Sequence, residues 1–424
     1  MQFRHRKKGR KLFTSRDRNR RIFSRYHPMR SALGGVLTVV LLALLGLVGY
    51  NIIGPLVTRL SSEAKAPTKT DEPFFEQESE PIKTAPTETT AAASQTQTVT
   101  TTVSAATTEP QATEHTSRFG DQVTLAYCIT PETVSDLKLL DTAAEQYAAR
   151  GYSALVLPMK LSGGALLYAS AVPEAAACGA SADDAPAPDA VMAVLGRHGL
   201  GAVAQMDLLG DNLFPAAFSD GAFLIAENQK RWLDRAEADG GKPWISPYST
   251  HSASYLSALA SELVSAGFRT VLCQNLQFPH FYSSDESLLG KQVTDKKRRT
   301  EGLTGLMNSI AEQVPEAVLT VSLDEVLRDE AEVFDPEKLS AQPVCMTIDF
   351  SKFKSAFMYQ NKRYALGKLS EAEKTVELLG LSRQAAGERK LIPCFVRGSL
   401  SDEQLDTVLT TAFTAGYDEI YVTD

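Results

Sequence analysis

The chain has 424 residues, a hydrophobic fraction of 43%, a charged fraction of 22% and a net charge of −8. That composition excludes a collagen-like or wholly disordered chain and allows a sizeable globular core. The net charge conceals an asymmetry: residues 1–30 hold twelve Lys or Arg against Asp17 alone, so this tail carries +11 and the rest −19.

A basic tail suits either nucleic acid or an anionic membrane surface. The next segment decides for the membrane and against nucleic acid. Residues 31–58, SALGGVLTVVLLALLGLVGYNIIGPLVT, contain no charged side chain. They are long enough to cross a hydrocarbon core of about 30 Å as one helix. Lys and Arg beside a span stay on the cytoplasmic side, which predicts a single-pass cell-membrane protein with a cytoplasmic N-terminus and an extracellular C-terminal domain. A cleaved signal peptide fits less well. Its charged and apolar regions would both be too long, and the nearby small-x-small triplet, Ala64-Lys65-Ala66, is followed by Pro67. Residues 31–58 are therefore read as a signal anchor.

Residues 59–118 are rich in Ser, Thr, Pro, Ala and Glu, with Phe74 and Phe75 as their main large apolar side chains. Such a stretch buries too little surface to offset the entropy of ordering. It is predicted to be a disordered stalk spanning about 40 Å on average.

Residues 119–424 change character. Short apolar runs at 123–128, 153–158, 201–206, 270–275, 317–322, 344–349, 390–395 and 419–423 alternate with amphipathic segments of helix length. The phrases AARGYSALVL, LVSAGFRTVL and FTAGYDEIYV share one pattern: a helix stop at Gly, an aromatic, then a strand. Eight strands alternating with helices predict an α/β fold, a (β/α)8 TIM-type barrel. The longest loops are expected after the third and fourth strands. The chain ends with the last strand, so either an N-terminal segment covers that face or the barrel is partly open there. No dinucleotide or Walker glycine motif is present. The five cysteines lack CxxC spacing and the six histidines lack metal-ligand spacing, so no disulfide framework, metal site or cofactor is expected.

Barrel enzymes keep their chemistry at strand C-termini. The polar residues predicted there are Tyr127, Lys160, Asp207, Asp211, Gln274, Asn275, Gln277, Asp324, Glu325, Asp349, Arg397 and Asp424. Carboxylates, amides and aromatics in one ring suit sugar binding and glycosidic cleavage, which needs one carboxyl group as acid and another as base or nucleophile. Asp207 and Asp349 follow apolar runs directly and are the expected catalytic pair. Asp324 and Glu325 read better as the start of a short helix. Tyr127, Gln274, Asn275, Arg397 and Tyr248 are the expected substrate-binding residues.

The stretch 242–281, KPWISPYSTHSASYLSALASELVSAGFRTVLCQNLQFPHF, resembles the glycoside-hydrolase-like family DUF4015. Trp244, Ser246, Pro247 and Tyr248 match its Trp and Ser-Pro-Tyr phrase, and Phe278 and Pro279 match the end of its strand-4 motif. The resemblance implies a (β/α)8 barrel acting on a glycan. Gln274 stands where the family's strand-4 Asp would be, Asn275 replaces its Tyr and Gln277 its Arg. An amide cannot act as nucleophile or general base. Two functions follow: a membrane-anchored hydrolase acting on a cell-wall or extracellular polysaccharide through other carboxylates, or an inactive glycan-binding or scaffolding domain of the same fold.

Overall fold

The computed structural model describes residues 116–330, 335, 337–340 and 343–424. The predicted cytoplasmic tail, membrane helix and nearly all of the stalk lie outside the described residues. Among the described residues no helix is long and apolar enough to cross a membrane.

Eight parallel strands close into a barrel: β1 (Thr124–Cys128), β2 (Ala154–Lys160), β3 (Gly201–Asp207), β4 (Thr270–Gln274), β5 (Ala317–Ser322), β6 (Val344–Asp349), β7 (Leu391–Val396) and β8 (Glu419–Thr423). Each predicted strand appears within about two residues of its expected bounds. Both faces of these strands are covered, which is why they read as continuous apolar runs rather than alternating ones. The principal helix after each strand is α1 (Leu137–Ala149), α2 (Pro188–Arg197), α3 (Thr250–Ser265), α4 (Lys296–Gln313), α5 (Leu323–Leu327), α6 (Glu371–Ala386) and α7 (Asp402–Thr414).

The helix ends follow local chemistry. Ser370 with Glu373 and Ser401 with Gln404 form capping boxes at α6 and α7. The three Gly-aromatic phrases are three copies of one stop. Gly151, Gly267 and Gly416 have φ of +80°, +105° and +89°. The following Tyr152, Phe268 and Tyr417 each donate a backbone N–H to the carbonyl five residues back, on Tyr147, Leu263 and Ala412. That bond closes a Schellman-type turn, which glycine adopts without steric cost. The aromatic is buried each time and fixes where the next strand begins.

The barrel interior holds Ala126, Ala154, Val156, Val203, Leu272, Val318, Cys345, Ile392, Cys394 and Tyr421, with Cys128 packed against them. Cys345 and Cys394 thus act as small buried hydrophobes. Alternate residues face the helices and join the larger core. By the same alternation Gln205 and Asp207, Gln274, Thr320 and Ser322, and Thr347 and Asp349 face inward at the C-terminal half. The barrel is apolar at its waist and polar at its mouth.

Two expectations need correction, one element was not expected, and one of two alternatives holds. The helix-length segment expected after the first strand is broken at Asp136, whose carboxylate accepts from Lys138 and Leu139 N–H and so starts α1 afresh after a short helical turn, Pro131–Ser135. A hairpin, Phe357–Tyr359 with Lys362–Tyr364, was not legible because each strand is only one alternation long. The connection after β2, residues 161–187, is longer than the one after β4, 275–295; it contains its own short helix, Pro173–Ala177. At the last strand the first alternative holds: the barrel is closed and an N-terminal segment covers that face. β1 pairs with β8 from Thr124↔Glu419 to Tyr127↔Val422, and the segment before β1 covers α7, with Phe119 stacked on Phe413 at 4.9 Å and Arg118 paired with Asp406 at 2.7 Å.

Candidate active site at the barrel mouth

A buried ionic cluster ties the tips of β2, β3 and β4 together. Lys160 is 1% exposed, and its Nζ lies 3.0 Å from Asp211 Oδ2 and donates to the Asp207 carbonyl at 2.9 Å. Asp211 Oδ1 accepts from the backbone N–H of Leu213 and Phe214 at 2.8 and 3.0 Å, so it also turns the chain into the long connection after β3. Asp207 accepts from Gly210 N–H through Oδ1 at 3.1 Å and from the Asn275 amide through Oδ2. Burial pushes the Asp207 carboxyl above the usual carboxylate range, against the opposing pull of Asn275 and Lys160.

That raised value has a linkage consequence. Between the unfolded and folded pKa the native state holds the extra proton, so this group's contribution is greatest at low pH and declines as pH rises through the folded value. An Asp207→Asn chain is expected to lose that decline. Urea unfolding at about pH 4 and pH 7, followed by the fluorescence of Trp232 and Trp244, checks it.

Asn275 has φ +53°, in the left-handed region that few residues other than glycine occupy. Its bond to Asp207 holds it there. With its amide nitrogen engaged, Asn275 offers its carbonyl oxygen to a ligand. Its neighbour Gln274 is oriented the opposite way. Gln274 Oε1 accepts from Gln205 Nε2 at 2.5 Å, so its amide nitrogen is the group left to donate. An adjacent donor and acceptor is the pattern that reads paired hydroxyl groups.

Gln274 and Asn275 line a cavity of about 240 Å³ over the β4–β6 sector, together with Gln277, Thr320, Glu325 and Glu330 among others. Thr320 Oγ1 is buried there without a hydrogen-bond partner among the described residues. An unmatched buried hydroxyl on a cavity wall is a position for a ligand or a water to occupy. The Glu325 carboxyl is held above the usual range by burial and by the neighbouring Asp324 and Glu330 carboxylates, with Lys352 opposing. A carboxyl whose pKa is raised and which faces a polar cavity has the character a general acid requires.

The residues singled out in the sequence fall into separate places. Gln274 and Asn275 are on the cavity. Asp207 supports Asn275 from behind, 1% exposed, and is not among the cavity-lining residues. Asp349 ends β6 on the inward face, two residues beyond the lining residue Thr347, and its Oδ1 accepts from Ser351 N–H at 2.8 Å. Tyr127 faces the helices rather than the mouth. It stacks on Tyr147 at 4.5 Å, and its hydroxyl donates to Asp424 at 2.6 Å. Arg397 pairs with Asp402 at 2.7 Å. These two fasten the β1–β7–β8 sector. Tyr248 lies in a different groove, between the connections after β3 and β4.

Glu325 and Glu330 were the residues passed over. Glu325 does begin a short helix, α5, as read from the sequence, but the first turn of that helix stands on the cavity. A helix-start role and a rim role are compatible because α5 follows β5 without an intervening loop. The adjoining run Asp324-Glu325 directly after a strand was the available signal.

Residues 126–336 match the profile of the DUF4015 family, described as "Putative glycosyl hydrolase domain". No curated protein matches the sequence. Among solved structures, a hypothetical protein from Ruminiclostridium thermocellum is 21% identical, covering 46% of this chain and 95% of its own, with a TM-score of 0.37. The glycoside hydrolase domain of PelA from Pseudomonas aeruginosa is 14% identical over 71% of this chain and 94% of its own, TM-score 0.33. A GH20 exo-β-N-acetylglucosaminidase from Vibrio harveyi is 9% identical over 64% of this chain and 41% of its own, TM-score 0.40. No residue role passes from these structures to this chain.

Proposed function

From the premise that residues 126–336 are a DUF4015 glycoside-hydrolase-like domain, we propose that the chain is a single-pass, membrane-anchored barrel that hydrolyses a cell-wall or extracellular polysaccharide. Residues 31–58 would anchor it with residues 1–30 in the cytoplasm, and residues 59–118 would hold the barrel, 119–424, away from the membrane surface on the outer side.

The observation that carries the hydrolase reading is Glu325, a carboxyl with a raised pKa on a polar cavity at the barrel mouth. Glu325 supplies the proton to the leaving glycosidic oxygen. Asp349, at the end of the neighbouring strand, is the second carboxylate, acting as base or nucleophile on the opposite face of the sugar. Gln274 and Asn275 hold hydroxyl groups by one donated and one accepted hydrogen bond. Thr320 completes the polar wall.

A second reading has its own observation. The strand-4 tip carries an amide, Gln274, and that amide is bound to Gln205. A mouth that binds glycan through Gln274 and Asn275 but lacks an effective carboxylate pair would be a tethered binding domain. The full-length chain in detergent, assayed on a panel of polysaccharides including peptidoglycan, separates the two. Release of new reducing ends supports hydrolysis. Retention of a polysaccharide with no cleavage under any condition supports the binding domain, and neither binding nor cleavage overturns both.

A further inference from the structure

The Trp and Ser-Pro-Tyr phrase is not used at the barrel mouth. Its Ser246 and Tyr248 line a second, larger groove of about 520 Å³ between the connections after β3 and β4. Tyr248 supplies an aromatic wall and is 39% exposed. Its ring is fixed on three sides. The hydroxyl donates to the carbonyls of Gln292 and Arg298 at 2.6 and 3.1 Å. Gly302 lies under the ring, where a Cβ would come within 2.5 Å of Tyr248 Cε1. Phe278 lies beside it at 6.2 Å. A pre-positioned aromatic face costs little entropy when a ligand stacks on it.

The groove is also charged. Lys291 and Arg298 line it, both exposed, and neither is in an ion pair among the described residues. Asp220 lines it too, but its carboxylate is engaged by His251 Nδ1 at 3.0 Å. Gln229 and Gln292 add amide groups. An aromatic platform flanked by amides and two available cations fits a sugar chain bearing acidic groups. Arg binds carboxylates and phosphates through paired N–H donors, and Lys does so as a point charge.

We propose that this groove is a binding site for an anionic polysaccharide, separate from the barrel-mouth cavity. The sugar ring stacks on Tyr248, and its carboxylate or phosphodiester groups meet Lys291 and Arg298. The connection after β4 contributes to both places: Asn275 and Gln277 to the cavity, Lys291 and Gln292 to the groove. The groove thus shares a connection with the mouth lining. Its binding does not depend on whether the mouth is catalytic.

The test compares the full-length chain in detergent with its K291E/R298E and E325Q variants. The probes are polygalacturonate, polyglycerol phosphate and neutral dextran of similar size. Residues 1–30 can bind polyanions on their own, so the readout is the difference between wild type and the charge-reversed chain. Both reversed residues are exposed and leave the core intact. The wild type is expected to bind at least one polyanion in preference to dextran, more weakly as salt rises. K291E/R298E is expected to weaken that binding about tenfold, and E325Q to leave it unchanged. Which polyanion responds tells carboxylate from phosphodiester recognition. Equal binding by the wild type and K291E/R298E, or equal binding of dextran, overturns the proposal. Loss of hydrolysis in E325Q bears only on the barrel mouth.

Discussion

Glu325→Gln is expected to lower kcat on the cleaved polysaccharide by about 10²- to 10⁴-fold, the usual range for a removed general acid. KM is expected to change little, because Gln keeps the shape and hydrogen-bonding length of Glu. The pH profile gives a sharper reading. Glu325 must be protonated to act, and its folded-state pKa is raised by burial and by Asp324 and Glu330. Wild-type activity should therefore persist above the ordinary carboxylate range and fall as pH rises through the raised value. Glu330→Gln removes one of the two like charges, so it should move that fall to lower pH without lowering the maximal rate. Lys352→Met removes the opposing positive charge and should move it to higher pH. A Glu325→Gln chain that keeps half or more of the wild-type rate would place the acid elsewhere. In that case Asp349→Asn, which alters the carboxylate proposed as base or nucleophile, becomes the decisive variant.

The sequence carried the barrel more fully than the site, and the reason is physical. A fully buried parallel strand declares itself as an apolar run, and the three Gly-aromatic phrases fix helix ends because only glycine turns there without strain. Eight strands were legible on those two signals. Side-chain direction was less so. Tyr127 and Gln274 both stand near a strand C-terminus, but they lie on opposite faces. Leu125 and Tyr127 join the helix-side core, while Ala126 joins the interior. Counting alternation from the interior Ala126 would have sent Tyr127 outward. Asp207 shows a different limit. It faces inward, as a catalytic residue would, but Gly210 and Asn275 take up its oxygens, and Asn275 comes from the next strand, far away in sequence. Tyr248 lay in a phrase that resembles the family's, and nothing in the phrase said which of two grooves it would line. That depended on how the connection after β4 folds back over the one after β3, as at Ala226 N–H to the Leu288 carbonyl, 3.2 Å.

The second large effect concerns the cluster beneath the mouth. Lys160→Met is expected to destabilise the barrel by about 3–5 kcal/mol, because it leaves Asp211 as a buried carboxylate without its cation. Asp211 has no measurable exposure, so water cannot take over that role. The adjacent backbone leaves no room for another side chain either, since a Cβ added at Gly164, which has φ +98°, would clash with the Asp211 carboxylate. The double variant Lys160→Met/Asp211→Asn should recover at least half of the loss. Asn keeps an oxygen for the Leu213 and Phe214 N–H groups while removing the unpaired charge. The part not recovered should reflect the Asp207 carbonyl, which loses the Lys160 bond in both chains. Urea unfolding of the full chain, followed by Trp232 and Trp244 on the connection after β3, measures all three. Trp232 is 2% exposed and lies on the very connection that Asp211 opens, so its fluorescence reports that segment directly. A Lys160→Met chain within 1 kcal/mol of the wild type would mean the cluster bears little of the fold. The Asp207 support of Asn275 would then have to be held by the strands alone. A large loss that the double variant repairs would show that the charge pair sets the geometry of β2 and β3. Asn275, held in its left-handed conformation by Asp207, would then present its carbonyl to the cavity from a framework fixed below the level of the ligand.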